Sequence, residues 1–273
     1  MSKLNICAAR RPGMTHAAYS RYARDNHARL VLDTEPVSRY LQAYVQQHVY
    51  DGCYGPDAPA WRYDSVSHIY AASPADHKAA TETPEYKNIV APDEPRFADA
   101  RSALFMMFEE QRLPLPVRGP SSLRLLHYVQ QKPGGNVDEL HGAWAAAHEA
   151  LLGEAPELFA GVRRAILNKT VALPGAAAAP YAGMCELGFV QRADEEAMGE
   201  YVRRIETRLD ALHSTARKFR LPPGTLHEEH AARRAQLAAL DAAADLGALE
   251  AAQAKARETY LADAKRLSKA RTQ

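Results

Sequence analysis

The chain has 273 residues, and 34 Lys and Arg against 33 Asp and Glu leave a formal charge of +1. That balance removes the broad electrostatic case for a nucleic-acid partner, and no run of about 18 apolar residues is present to span a membrane. At 47% hydrophobic residues, the chain can build one large core or two modest ones.

In chain order, Leu4–Ala8 reads as a short apolar strand and Pro12-Gly13 as a turn. Thr15 is placed to cap a helix on which Tyr19, Ala23 and His27 recur at four-residue steps and share one face. Strands are expected at Tyr40–Val49 and Ser65–Tyr70, then a second helix, then a last strand at Ala103–Glu110. Arg112–Pro120 is proline-rich and reads as a linker. The series then starts again with a strand at Leu123–Val129, a turn at Pro133-Gly134, and a helix capped by Asn136. That helix carries Leu140, Trp144 and His148 where the first has Tyr19, Ala23 and His27. Strands around Val162–Val171 and Met184–Val190, a second helix, and a weaker strand at Leu226–Glu229 complete the copy.

An offset of 121 residues lays Pro12-Gly13 on Pro133-Gly134, Arg11 on Lys132, Leu4 on Leu125 and His27 on His148 without a gap. The order βαββαβ, twice, predicts an α+β fold of two tandem ferredoxin-like units, residues 1–117 and 118–230. Residues 231–273 read as an Ala-rich helical tail with a weak point at Gly247. Its Leu237, Leu240, Leu249, Tyr260 and Leu267 are available to pack on the units or on another chain, which makes the tail a candidate homodimer contact. Cys7, Cys53 and Cys185 form no CxxC pair, against a disulfide framework or structural zinc. Met1–Arg11 is too short and polar for a secretory signal, so a soluble, cytoplasmic protein is expected.

Arg10-Arg11-Pro12-Gly13, Tyr19 and Asp25–Val31 resemble the opening of EthD-domain proteins. Tyr44–Val49, Tyr63–Val66, Asp93–Asp99 and Glu109-Glu110 are similar to later segments of that family, so the resemblance covers residues 1–111. The family pattern puts a tryptophan where Ala23 stands, while Trp144 keeps it in the second copy. The second copy also lacks the acidic stretch before its last strand, which leaves the first unit as the one expected to retain a site. The resemblance implies the dimeric α+β barrel superfamily, with the two units closing one barrel within the chain. That superfamily hosts cofactor-free monooxygenases, cyclases, isomerases, dehydratases and haem enzymes, so fold alone does not fix function.

His27 leads the candidate catalytic residues, because an imidazole with a pKa of about 6.5 is a natural proton shuttle. It reads equally as a half-buried structural histidine, and its recurrence as His148 favours structure as much as catalysis. Tyr44 and His48 share a face of the second strand, and Asp64 and His68 bear the same relation on the third. If both are the helix-packed face, His27, Tyr44, His48, Asp64 and His68 converge on an enolisable substrate. A histidine would then take the α-proton, a Tyr or second His would protonate a leaving hydroxyl or steady an enolate, and Asp64 would orient the imidazole. On the other face the same residues would meet solvent or line a polar network.

Arg10 could clamp a carboxylate or phenolate. Tyr19, His68, Asp93, Trp144 and His148 complete the expected substrate-binding shell. No HxH, HExxH or His-plus-Cys spacing calls for a metal, and no glycine-rich loop calls for a nucleotide. A lone axial histidine (His27, His148 or His127) leaves no signature, which keeps haem as a minority alternative. The expected function is a cofactor-free lyase or isomerase acting on a small hydrophobic oxygenated compound. A haem-dependent or cofactor-free oxygenase, and a non-catalytic ligand-binding accessory protein, are the alternatives.

Overall fold

A computed structural model describes residues 1–50, 61–131, 135–172, 179–191, 195–221, 225–243 and 246–271. The Pro133-Gly134 turn with Lys132, and Cys53, lie outside the described residues. The chain divides into two compact bodies, Met1–Ala211 and Leu212–Gln273.

In the first body seven strands form one antiparallel sheet. They are β1 (Ser2–Ala8), β2 (Leu41–His48), β3 (Ser65–Ala71), β4 (Leu104–Arg112), β5 (Leu123–Val129), β6 (Val162–Val171) and β7 (Gly183–Phe189), in the spatial order β2-β3-β1-β4-β6-β7-β5. The ladder between β4 and β6, from Met107↔Val171 to Arg112↔Ile166, makes one sheet of what the sequence divides at 117/118. The compact bodies therefore do not follow the repeat boundaries at 117/118 and 230/231.

Helices interrupt the strands as α1 (His16–Tyr22), α2 (Ala28–Asp33), α3 (Glu35–Ser38), α4 (Pro74–Glu82), α5 (Val137–Glu154) and α6 (Glu195–Phe219). Their starts follow local chemistry. Thr15 caps α1, Ser73 caps α4 with Pro74 in its first turn, and Asn136 accepts from the amides of Asp138 and Glu139 at the start of α5.

The eighth strand expected at Leu226–Glu229 is absent, because those residues open α7 (Leu226–Ala243). The Ala-rich, charged sequence that follows favours helix and supplies no alternation for a strand. In the second body α7 ends at Ala243 and α8 (Leu246–Arg271) begins three residues later, so Gly247 lies inside the first turn of α8. Leu237, Leu240 and Tyr260 are exposed. No helix among the described residues is long and apolar enough to cross a membrane.

The register sorts the side chains. Lys3, Asn5 and Cys7 stand opposite Tyr70, His68 and Val66 of β3, and this inner face continues through Phe108, Asn168, Glu186 and Tyr128 on the later strands. The outer face of β2 and β3 carries Tyr44, Gln46, His48 and Ser65. Tyr128 of β5 and Asn5 of β1 are four strands apart in the sheet, roughly 19 Å if it were flat. Yet the Tyr128 hydroxyl donates to Asn5 Oδ1 at 3.1 Å, so the sheet curls and its inner face meets itself.

Charge fills that interior. Lys3, 1% exposed, donates to Glu110 (2.8 Å), Asn168 (2.9 Å) and Glu186 (3.0 Å). Arg164 Nε reaches Glu186 at 2.7 Å, and the Tyr70 hydroxyl donates to Glu110 at 3.0 Å. Burial alone would raise the Glu186 pKa. The charges of Lys3 and Arg164 outweigh it and hold the group at about 2. His68 moves the other way from its ordinary value, down to about 3, through burial first and Lys3 second.

Both shifts give the same sign. Each group binds its proton more weakly folded than unfolded, so acidification favours the unfolded chain. Stability should fall through His68 from pH 6.5 towards 3 and through Glu186 from pH 4.5 towards 2. Glu186→Gln should cost about 3–5 kcal/mol near neutral pH by stranding Lys3 and Arg164. It should also flatten the part of the profile below pH 4.5. Urea denaturation across pH 3–8 checks both, and an unchanged midpoint for the variant would overturn the account.

Candidate active site

The site is built on the first helix and the turn that precedes it. Gly13 has a φ of +82°, a backbone conformation that disfavours side chains, and it turns the chain from β1 into α1. After α1 the helix widens into a π turn, Ala23–His27, where the Ala28 amide bonds back to the Ala23 carbonyl. Four residues overshoot one α-helical turn by about 40°. The wider turn offsets that drift, and Tyr19, Ala23 and His27 are all buried. Such π turns inside helices recur at functional sites.

His27 Nδ1 lies 3.0 Å from Oδ2 of Asp93, which is carried on a 3₁₀ turn, Ala91–Arg96. The Tyr22 hydroxyl donates to the other oxygen, Oδ1, at 2.6 Å, and Arg96 stands 3.7 Å from it. That hydrogen bond to Asp93 is the main reason the Tyr22 pKa is raised. The Phe97 ring packs against His27 at 4.8 Å between centroids, and Tyr19 and Tyr22 flank it at 5.5 and 5.4 Å. With the carboxylate accepting, Nδ1 carries the imidazole proton. Nε2 then has a lone pair and no hydrogen-bond partner among the described residues. The result is an oriented His–Asp pair.

A second polar row runs along the outer face of β2. Gln46 Nε2 donates to the Ala23 carbonyl at 3.1 Å and to the Tyr44 hydroxyl at 2.8 Å. His48 Nε2 donates to Gln46 Oε1 at 3.2 Å, which leaves its Nδ1 buried with no hydrogen-bond partner among the described residues. Burial first, then Arg24 and His16, lowers the His48 pKa. Gln46 thus ties the strand to the π turn, and sequence reasoning passed over it. Its one signal was its place between Tyr44 and His48 at the same period of two.

The expected convergence of five residues does not occur. Asp64 accepts from the Arg10 amide (2.7 Å), the Arg10 guanidinium (2.6 Å) and His16 Nδ1 (2.8 Å). It braces the turn before α1 and does not orient His27; Asp93 does. His68 stands on the inner face, held by Gln47 at 3.0 Å and Asn5 at 3.1 Å, because β3 alternates it away from Ser65 and Ser67. Tyr44 packs beside Val31, Val37 and Val90. The Tyr19 hydroxyl pairs with Ser65 Oγ at 2.7 Å, and burial pushes its pKa up to about 12.

The corresponding place in the second half is sealed. Trp144 is buried with its ring 5.4 Å from His127. His148 is 0% exposed, with Nδ1 on the Tyr201 hydroxyl and Nε2 on the Pro114 carbonyl, each at 2.8 Å. Phe159 and Tyr201 meet it edge-on. Both ring nitrogens are in use, so His148 offers no atom to a substrate, a metal or a haem.

The resemblance read from the sequence holds, since residues 11–101 match the family described as the EthD domain. No curated protein matches the chain. Among solved structures, one described as an anthrone oxidase-like protein shares 14% identity, with 77% of this chain and 84% of that chain covered and a TM-score of 0.51. The likeness is one of fold. An EthD-family protein of Bacillus halodurans C-125 shares 19% identity over 41% of this chain and 100% of its own, with a TM-score of 0.32.

His148→Ala should destabilise the fold by about 2–4 kcal/mol, since it opens a cavity and unpairs the buried Tyr201 hydroxyl. Chemical denaturation checks this. Unchanged stability would overturn the structural role given to His148.

Proposed function

We propose that the chain is an enzyme acting on a small hydrophobic oxygenated compound, with His27 as the group that moves the proton. The observation that carries this reading is the His27–Asp93 pair, whose Nε2 has no hydrogen-bond partner among the described residues while Nδ1 is fixed. A general base needs its acceptor lone pair aimed outward and its other nitrogen held, and Asp93 supplies the hold. Tyr22 in turn holds Asp93. In the reading we favour, His27 Nε2 removes a proton beside a carbonyl and returns it elsewhere, giving dehydration, another elimination or isomerisation. No bound cofactor is needed for that chemistry. The row Tyr44–Gln46–His48 is proposed to line the same side of the sheet as the substrate, with Arg10 at its edge.

We also infer that residues 123–211 are a diverged second copy of the first ferredoxin-like unit, so that one chain builds the curled sheet from tandem parts. The strand orders β2-β3-β1-β4 and β6-β7-β5 support this, since both set the copy's first and second strands on either side of its third. His148 in the place of His27 supports it as well. The copy's buried side chains would make it a wall and not a second site.

The name of the anthrone oxidase-like neighbour favours a second reading, in which the same base forms a carbanion that dioxygen then oxidises. Proton removal comes first in both, so a direct readout of that step tests them together. The probe is a panel of enolisable hydroxylated aromatic ketones in D₂O, with α-carbon exchange followed by NMR and oxygen uptake recorded in parallel. His27→Ala should slow exchange about 10²–10⁴-fold, and Asp93→Asn should slow it less while KM stays unchanged. Oxygen uptake selects the oxidase reading. Exchange at full rate in His27→Ala, or none with the native chain, would overturn the proposal.

A further inference from the structure

On the inner face of the other half of the sheet, a cavity of about 180 Å³ is walled by Arg112, Arg118, Arg124, Arg163 and Arg164, with Ser121 and Gly119 beside them and no acidic side chain in its lining. His27 stands on the outer face of the β2-β3-β1-β4 half, so the two places are separate. Two local features assemble the arginines. The register of β6 on β7 shifts between Val162 and Arg164. Neighbouring side chains on a regular strand point to opposite faces, and this bulge lets both Arg163 and Arg164 reach one cavity. Across from them, Gly188 pairs with Arg164 and Arg124. A Cβ there would collide with Arg124 Nη1 and Ser121 Oγ, so the missing side chain is what admits the guanidinium.

Charge in this region does not balance. Arg124 and Arg164 share Glu186 at 3.3 and 2.7 Å, but Glu186 also serves Lys3. Glu110 is divided between Lys3 at 2.8 Å and Arg164 at 3.9 Å. Arg163 donates to the carbonyls of Ala160 (2.7 Å) and Val162 (3.1 Å), and Arg118 to that of Leu113 (2.7 Å). Those neutral partners fix the guanidiniums in place and leave their charge uncancelled. Arg112 has no ion-pair partner among the described residues. Six cations, counting Lys3, meet two carboxylates, an excess of four. Burial first, with Arg164 adding to it, lowers the Arg124 pKa despite Glu186, and a bound anion would relieve that cost.

We propose that this cavity binds the phosphoryl group of a small molecule, either free phosphate or a small organic phosphate. Forked guanidiniums match a tetrahedral oxyanion by paired hydrogen bonds. The volume suits a phosphoryl group with a few attached atoms and is too small for a nucleotide. Because guanidiniums keep their charge at any working pH, affinity should follow ionisation of the phosphate and fall as salt screens the site.

The test is isothermal titration of the full chain with inorganic phosphate and, separately, with glycerol 3-phosphate, at constant ionic strength in chloride. We expect saturable one-site binding to at least one probe, weakened tenfold or more in Arg118→Gln/Arg163→Gln and unaffected in His27→Ala. Tighter binding of the ester marks an organic phosphate as the ligand, and tighter binding of phosphate marks the free ion. The exposed pair Arg112→Gln/Arg118→Gln, which touches neither Glu186 nor Glu110, serves as a second variant and should weaken binding in the same direction. No saturable heat from either probe, or full affinity in both double variants, would overturn the proposal. Retained binding in His27→Ala keeps this outcome distinct from the fate of the catalytic reading.

Discussion

A lysine ammonium buried to 1% exposure is tolerable only with its hydrogen-bonding protons placed on acceptors, and Lys3 has its partners on β4, β6 and β7. The second residue of the first strand is thereby pinned to strands that enter the sheet more than a hundred residues later. Much else follows from this demand. Glu186 must face inward, which sets the register of β7, and Asn168 must stand opposite Glu110, which sets β6 against β4. With Asn5, His68 and Tyr128 joined beside it, the inner face is closed by polar side chains that satisfy one another. The same charges that hold the sheet in its curl also explain why the arginines at its rim outnumber their acids.

An interior filled in this way moves the available chemistry elsewhere. The outer face of the first half carries the π turn, the His27–Asp93 pair and the Gln46-centred row. Each is supported from behind by packed rings or by a strand, as a preorganised group must be. His27 and His148 make the point by contrast. Each is the last of three buried residues at four-residue steps, yet among the described residues His27 has one nitrogen occupied and His148 has both. The Pro114 carbonyl, which takes Nε2 of His148, makes the difference. Packing decides what each imidazole can do.

Much of the fold is legible in the amino-acid sequence. All seven strands fall within about two residues of where apolar segments and period-two alternation put them, Leu123–Val129 and Val162–Val171 to the residue. Thr15 and Asn136 cap helices as their side chains predict. The missed strand at Leu226–Glu229 had the weakest pattern of all, and the helix-forming composition after it won. The site was legible in parts. That Tyr44 and His48 share a face is a local fact, whereas the pairing of Asp64 with Arg10 spans 54 residues and was not legible. The partnership of His27 with Asp93 spans 66 residues and belongs to no local pattern.

Sequence alone determined seven strands and their order, the EthD resemblance over residues 1–111 and the set of polar residues from which a site could be drawn. Those properties depend on neighbours along the chain: period, caps, turn residues and composition. Which face of the sheet is filled, which acid meets which histidine, and where arginines outnumber acids were decided by tertiary structure. A period of two says that Asp64 and His68 alternate together and is silent on what stands across from them. Curling of the sheet brought Lys3 to Glu186 and Tyr128 to Asn5, and a single bulge in β6 turned two adjacent arginines into one cavity. Contacts of that range arise only when strands distant in sequence are brought to bonding distance, and no local propensity encodes them.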